Sequence, residues 1–152
     1  MNISKYMKRN VFSISVTSTI RDAASVFVKN HIGLLPIVDQ NNKLVGVVGL
    51  RDLLSLELPD FISLIADLDF VHDFGAVETT HPPASILDQS IKTLVKPAIT
   101  VHQDSGLLRA YALMLQHDLH DMPVVSEDGK LVGVASRVDI GTTILSAWSK
   151  VE

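Results

Sequence analysis

Cysteine is absent from this chain of 152 residues. Its absence excludes disulfides, thiolate metal sites and cysteine nucleophiles, and removes any redox clue to the compartment. Long apolar runs are missing as well, because the longest stretch without Asp, Glu, Lys or Arg is the eleven residues 10–20. Since a membrane-spanning helix needs roughly 20 apolar residues, the sequence predicts no membrane insertion.

Positive charge is scarce. Thirteen Lys and Arg residues stand against seventeen Asp and Glu residues, for a net charge of −4, and such a chain suits a phosphate backbone poorly. We therefore expect no nucleic-acid partner. Residues 1–10 are not followed by an apolar segment with a cleavage site, so no secretory signal is expected and a cytoplasmic location is predicted.

The sequence repeats itself at a shift of 87 positions. Residues 35–38 (Leu-Pro-Ile-Val) align with 122–125 (Met-Pro-Val-Val), and residues 43–47 align with the identical Lys-Leu-Val-Gly-Val at 130–134. One register holds for over forty residues without a gap. A fixed period of this kind indicates two copies of one structural unit.

Each copy predicts the same order of elements. Residues 11–16 favour a strand or an extended lead-in. Thr19 is a candidate helix N-cap, and apolar side chains then recur at helical spacing until Gly33, the expected helix stop. Residues 34–38 and 44–49 predict an antiparallel hairpin across a polar turn.

A further helix is predicted after each hairpin. At residues 51–54 and 138–140 an Asp falls in the first helical turn, where the helix dipole favours negative charge. Because one such unit has little core of its own, the two copies are expected to dock as a pseudo-twofold pair. The predicted division is repeat 1 at 1–54, an inter-repeat segment at 55–93 and repeat 2 at 94–152.

These motifs resemble those of a known family. A helix is followed by Leu-Pro-x-Val-Asp at 35–39, by Leu-x-Gly-Val-Val at 44–48 and by Asp52. The pattern is similar to the CBS domain, named for cystathionine β-synthase, and two such domains in tandem form a Bateman module. The resemblance implies an α/β (α+β) fold of two βαββα repeats packed sheet to sheet. It also implies adenosyl ligands (AMP, ADP, ATP or S-adenosylmethionine) between the repeats, with no required cofactor and no catalysis.

Two aspartates are the candidate ribose ligands. A carboxylate at a helix start can accept hydrogen bonds from both ribose hydroxyls, and Asp139 and Asp52 occupy that position. Three residues earlier the family commonly has Ser or Thr, which can meet a phosphate. Ser136 matches and Gly49 does not, so the Asp139 cleft ranks first. The alternative is that both aspartates stabilise helix ends and that Ser136 is a capping hydroxyl.

The resemblance implies that the base contacts the opposite repeat. The matching residues are Met7, Phe12, Ile32, Gly33 and Val134 around the Asp139 cleft, and Leu94, Ile99, Leu119, His120 and Val47, with Asp52, around the mirrored cleft. An apolar slot suits a flat base; the alternative is that these side chains are ordinary core. His120 and Asp121 stand where some relatives have basic phosphate ligands. We favour the interpretation that His120 and Asp121 form a solvated surface pair. Because a triphosphate would meet little fixed positive charge, adenosyl ligands with less charge are favoured over it.

The inter-repeat segment is too apolar for a plain linker. Residues 61–68 are apolar at helical spacing, and Pro59 suits a helix start. We predict a homodimer contact here, with an intramolecular lid as the alternative. His72 and Asp73 belong to an acidic group whose spacing matches no closed metal template, so no metal site is predicted.

The leading functional hypothesis is a stand-alone regulatory or sensory module. It would bind an adenosyl ligand between the repeats and signal to a regulated protein by a shift in repeat packing. The alternative is a ligand-free oligomerisation or interaction module with degenerate clefts. No nucleophile with an oriented base emerges, so an enzyme is not expected.

Overall fold

A computed structural model describes residues 2–56 and 81–149. The first repeat contains β1 (Ile14–Ser15), α1 (Ile20–Asn30), β2 (Leu34–Val38), β3 (Leu44–Gly49) and α2 (Leu50–Leu54). A short helix α3 (Ala84–Leu87) precedes the second repeat, which contains β4 (Val101–His102), α4 (Leu107–Gln116), β5 (Asp121–Val125), β6 (Leu131–Ser136) and α5 (Arg137–Trp148). The predicted order of strand, helix, strand, strand and helix is confirmed in both copies.

Two three-stranded sheets form the centre of the fold, in the orders β1-β2-β3 and β4-β5-β6. In each sheet the first pair of strands is parallel and the second is an antiparallel hairpin. Each hairpin has one irregularity, between Ile37 and Val38 and between Val124 and Val125. The two irregularities lie 87 residues apart, so the sequence period is also a period of the backbone.

Helix α1 begins where the sequence predicts and ends earlier. The Thr19 side chain accepts a hydrogen bond from Asp22 N–H, and the Asp22 carboxylate accepts one from Thr19 N–H at 2.9 Å. Hydrogen bonding from Thr19, first by its backbone and then by its side chain, lowers the pKa of Asp22. Gly33 as helix stop is wrong, because the helix ends at Asn30 and His31 takes the left-handed conformation, with φ of 52°.

The first strand is shorter than residues 11–16. Ile14 and Ser15 pair with β2, and Val16 N–H donates to Val38 O, whereas the chain before them crosses from the other half of the molecule. There the amide of Lys8 donates to Val134 O at 2.9 Å and the amide of Val134 donates to Lys8 O at 3.0 Å.

The two repeats exchange the segments that lead into their first strands. Residues 2–8 pack on the second repeat, where Ile3 and Met7 join the core formed by α4, β5 and α5. Residues 86–96 pack on the first repeat, where Ile91 is fully buried beside α1. Each hydrophobic core therefore contains residues from both halves of the chain. The division into 1–54, 55–93 and 94–152 stays a prediction.

The crossed segments follow a slightly different period from the sheets. Val47 exchanges hydrogen bonds with Lys96 just as Val134 does with Lys8. Lys96 follows Lys8 by 88 residues, whereas Val134 follows Val47 by 87. The first copy thus has one extra residue before its first strand, and the structural counterpart of Met7 is Val95 rather than Leu94.

Pro59 and residues 61–68, together with His72 and Asp73, lie outside the described residues. Across 2–56 and 81–149, no helix has the length and apolar character needed to span a membrane.

Candidate ligand-binding cleft

A cleft of about 280 Å³ opens between the two repeats. Its wall includes four of the residues that sequence analysis selected: Phe12, Ile32, Gly33 and Val134. The first three come from repeat 1, before and after α1, and Val134 comes from β6 of repeat 2. The remaining lining residues are Lys8, Asn10, Val11, Asn30, His31, Leu34 and Asp121. Its volume is close to the roughly 300 Å³ at which small-molecule pockets begin.

The cleft combines an apolar surface with a few polar groups. Phe12 is 40% exposed, and Ile32 and Val134 are half-buried, so these side chains leave apolar surface accessible from the cleft. Lys8 and Asp121 bring one charge of each sign. A slot of this composition favours a flat, largely apolar group with a few polar substituents.

Asp139 and Ser136 lie at the start of α5, outside the lining of the cleft but linked to it. Ser136 Oγ accepts a 3.4 Å hydrogen bond from Asp139 N–H and so caps the helix. The Asp139 carboxylate lies 4.0 Å from Lys8 Nζ, and its side chain is 42% exposed. Because Lys8 lines the cleft, this ion pair places Asp139 at the cleft margin.

Met7 does not line the cleft. It is buried in the core of the second half, and a Cβ built on Gly133 would lie 2.5 Å from Met7 Sδ. The extra residue affects the mirrored cleft instead, where Val95 rather than the selected Leu94 is the structural counterpart of Met7.

The mirrored cleft differs from the first at its carboxylate. Asp52 Oδ2 accepts a 2.7 Å hydrogen bond from Gly49 N–H and lies 3.2 Å from Lys96 Nζ. The side chain is 26% exposed. Asp52 therefore caps α2 and pairs with a crossed-segment lysine at the same time, as the helix-end alternative requires.

The other predicted residues of the mirrored cleft differ in burial and packing. Val47 is buried in β3, and Leu94 packs against the first core. Leu119 packs against the second core, and its carbonyl oxygen accepts a 2.8 Å hydrogen bond from Arg137 Nε. Ile99 and His120 are exposed. Their ligand roles stay a prediction.

Sequence analysis did not select two lysines that lie beside the candidate ribose carboxylates. Lys8 and Lys96 occupy equivalent places in the crossed segments, and each pairs with the candidate ribose carboxylate of its cleft. Aligning the lead-in segments with one inserted residue would have matched lysine with lysine, which is the only signal that the sequence holds. Among residues 2–56 and 81–149, no group of three His, Asp or Glu side chains is arranged to hold a metal ion.

The architecture is that of a tandem-repeat protein whose two βαββα units share a cleft. A family model described as "CBS domain" matches residues 3–58 and 90–145. The chain belongs to the CBS-domain family, as a pair of CBS domains.

Relatives include known CBS-pair proteins. The chain is 32% identical over 142 residues to the CBS domain-containing protein CBSX2, chloroplastic, of Arabidopsis thaliana, covering 88% of this chain and 58% of that protein. The chain thus spans little more than half the length of that relative.

Solved structures share the fold. A crystal structure of CBSX2 in complex with AMP matches with a TM-score of 0.71 and 26% identity, covering 96% of this chain and 97% of that one. The CBS domain pair of MJ0100, in complex with 5′-methylthioadenosine and S-adenosyl-L-methionine, matches with a TM-score of 0.66 and 19% identity over 97% of this chain and 98% of that one. The second match shows the fold alone.

Proposed function

We propose that this chain is a regulatory module that binds an adenosyl ligand in the cleft beside Asp139 and signals its occupancy to a partner protein. The observation that carries the proposal is the shared wall of the cleft, where Phe12 and Ile32 of one repeat face Val134 of the other. The crystal structure of the relative CBSX2 in complex with AMP supports the ligand class. No catalytic residue is needed for this function.

The chemistry of the cleft suits the parts of a nucleoside. The flat base fits the apolar surface of Phe12, Ile32 and Val134, and the ribose hydroxyls fit a carboxylate at the margin. Asp139 is available for that role because, among the described residues, its carboxylate accepts no hydrogen bond and its ion pair is the 4.0 Å contact with Lys8. Its partner Lys8 is 65% exposed, and so weak an ion pair is readily replaced by hydrogen bonds to a ligand.

Signalling follows from the way the cleft is built. A ligand that touches both repeats has a different affinity for each arrangement of the repeats, and only such a difference shifts their equilibrium. The Lys8 to Val134 backbone pairing connects the cleft wall directly to β6. A regulated protein that contacts both repeats would detect the shift.

Isothermal titration with AMP, ADP, ATP and S-adenosylmethionine tests the proposal. We expect one of them to bind the chain, and we expect Asp139→Ala to weaken it at least tenfold. Asp88→Asn, a charge change at an exposed residue paired with Arg21, is the control and leaves the affinity unchanged. Absence of binding by all four compounds, or equal affinity in Asp139→Ala, would refute this function.

A ligand-free interaction module is the second candidate. The engagement of Asp52 by Gly49 and Lys96 favours it, because a carboxylate already paired has less to offer a ribose. Native mass spectrometry of freshly purified protein separates the candidates. A retained adenosyl compound rejects the second candidate, and a bare chain that no adenosyl compound can shift in mass supports it.

A homodimer and a cytoplasmic location also belong to the proposal. Apolar side chains at the helix ends are exposed, with Leu108 at 72% and Trp148 at 68%, and they flank a shallow groove between α4 and α5. Exposed apolar patches commonly mark protein contacts. Light scattering coupled to size exclusion at micromolar concentration is expected to give twice the chain mass, and a monomer would contradict the dimer.

A further inference from the structure

Asp121 presents an unpaired carboxylate to the cleft. It is the first residue of β5, it is half-buried, and its Oδ2 faces Gly33 across the repeat boundary, 3.9 Å from the position of a Cβ built there. Arg137 is engaged elsewhere, with Leu119 O and Asp118. Within 2–56 and 81–149, no hydrogen bond or ion pair to the Asp121 carboxylate is present. A half-buried carboxylate without a partner is suited to bind a donor or a cation from outside the chain.

The charged groups around the cleft are unbalanced. Lys8 is its one fully charged cation among the lining residues, and Asp139 already lies beside it. His31 also lines the cleft and is exposed. Lys8, Asp139 and Asp121 together carry one excess negative charge. A ligand with several phosphates would meet repulsion here, whereas a cationic substituent would meet attraction.

Only one of the two repeats has a carboxylate at this strand position. Leu34 occupies the position equivalent to Asp121 in the first repeat and lines the same cleft. Both residues begin the second strand of their sheet, paired with Gly49 and Ser136 respectively. The strand therefore does not require an acid at this place.

We propose that Asp121 selects an adenosyl ligand whose 5′ substituent is cationic, such as a sulfonium, over adenosine phosphates. The inference rests on the proposed function of the cleft. With the base against Phe12 and Ile32 and the ribose at the Asp139 margin, the wall that remains for the 5′ substituent contains Gly33 and Asp121.

A matched pair of ligands isolates the charge. S-adenosylmethionine carries a sulfonium, and S-adenosylhomocysteine lacks only its methyl group and positive charge. Titration of both, together with AMP, is expected to show that the sulfonium compound binds about fivefold more tightly than the thioether, as one solvent-screened charge pair provides. AMP is expected to bind more weakly than S-adenosylmethionine.

Two variants test the residue. Asp121→Asn keeps the shape of the side chain, and Asp121→Leu introduces the residue of the other repeat, with circular dichroism to confirm folding. Both are expected to bring the ratio of the two affinities close to one and to tighten AMP about fivefold. Asp104→Asn, which alters an exposed carboxylate beside His102, is expected to change neither value.

The possible outcomes distinguish failure of the Asp121 inference from failure of the proposed ligand-binding function. An affinity ratio that is the same in the chain and in both Asp121 variants overturns the selection by Asp121 and leaves the binding function intact. Equal loss of all three ligands in Asp121→Asn also overturns it, because selection requires unequal effects. No binding of any adenosyl compound to the unaltered chain overturns the function itself, and the inference with it.

Discussion

The carboxylate of Asp52 accepts a 2.7 Å hydrogen bond from the amide of Gly49, three residues earlier in the chain. In the second repeat the side chain of Ser136 performs the capping instead, by accepting from Asp139 N–H. The two aspartates therefore differ in engagement: Asp52 is held by the Gly49 amide and by Lys96 at 3.2 Å, whereas Asp139 lies 4.0 Å from Lys8 Nζ.

Stability measurements should show this difference directly. Asp52→Ala removes a hydrogen bond and an ion pair from a partly buried side chain, and it is expected to lower the free energy of unfolding by about 1–2 kcal/mol. Asp139→Ala removes only a 4.0 Å pair with an exposed lysine, and a change below about 0.5 kcal/mol is expected. Urea unfolding of both variants checks the order, and equal losses would contradict it.

The stronger engagement of Asp52 than of Asp139 predicts that the chain binds one ligand. In Gly49→Ser the new Cβ would lie 3.3 Å from Asp52 Oδ2, so the Asp52 carboxylate is expected to shift away from the residue 49 amide. Combined with Lys96→Met, which removes the competing ammonium, the change is expected to raise the stoichiometry in calorimetry from one ligand per chain to two. A stoichiometry of two in the unaltered chain would show that Lys96 and Gly49 do not close the second cleft.

The close contact of the crossed segment with β3 predicts that Gly46 cannot be replaced by a larger residue. A Cβ built on Gly46 would lie 2.5 Å from Lys96 O and from Val95 Cγ1. Gly46→Ala should therefore push residues 95 and 96 off the sheet and cost about 1–3 kcal/mol of stability. Gly33→Ala, whose nearest neighbour is 3.9 Å away, is the matched control and is expected to cost less than about 0.5 kcal/mol. Similar stabilities for the two variants would argue against the crossing.

The cap of α1 predicts one component of the pH dependence. The pKa of Asp22 is lowered in the folded chain by hydrogen bonding from Thr19. A lowered folded-state pKa contributes stability that is fully present above the unfolded pKa and is lost as the pH falls through the folded one. The unfolding free energy of the unaltered chain should thus exceed that of Asp22→Asn at pH 7, and the gap should shrink in acid. A gap that is constant with pH would contradict the assignment.

Much of the fold can be predicted from the sequence because the local preferences for strands, turns and helix caps agree with one another. Two short runs rich in strand-forming residues, separated by a polar turn, predict both strands of the first hairpin, and the structure has Leu34–Val38 and Leu44–Gly49 at the same residues. Thr19 is the cap that its side chain predicts. The end of α1 could not be predicted in this way, because His31 adopts a left-handed conformation that the sequence assigns to Gly33.

The site could be predicted only in part. Phe12, Ile32, Gly33 and Val134 meet in one cleft as the repeat and the family resemblance suggest. Lys8 and Lys96 could not be found from one ungapped register, because the lead-in segments carry an extra residue and pack on the opposite repeat. Contacts between crossed segments depend on tertiary packing, for which a local sequence pattern has no signal.

The location of the bound base tests the central claim most directly. Intermolecular NOEs can be recorded between the adenine protons of the tightest-binding adenosyl ligand and the methyl groups of labelled Ile, Leu and Val residues. We predict NOEs to Ile32 and Val134, which face each other across the repeat boundary. NOEs to Leu94 and Ile99 instead, or to no residue of the cleft, would contradict a ligand site shared by the two repeats beside Asp139.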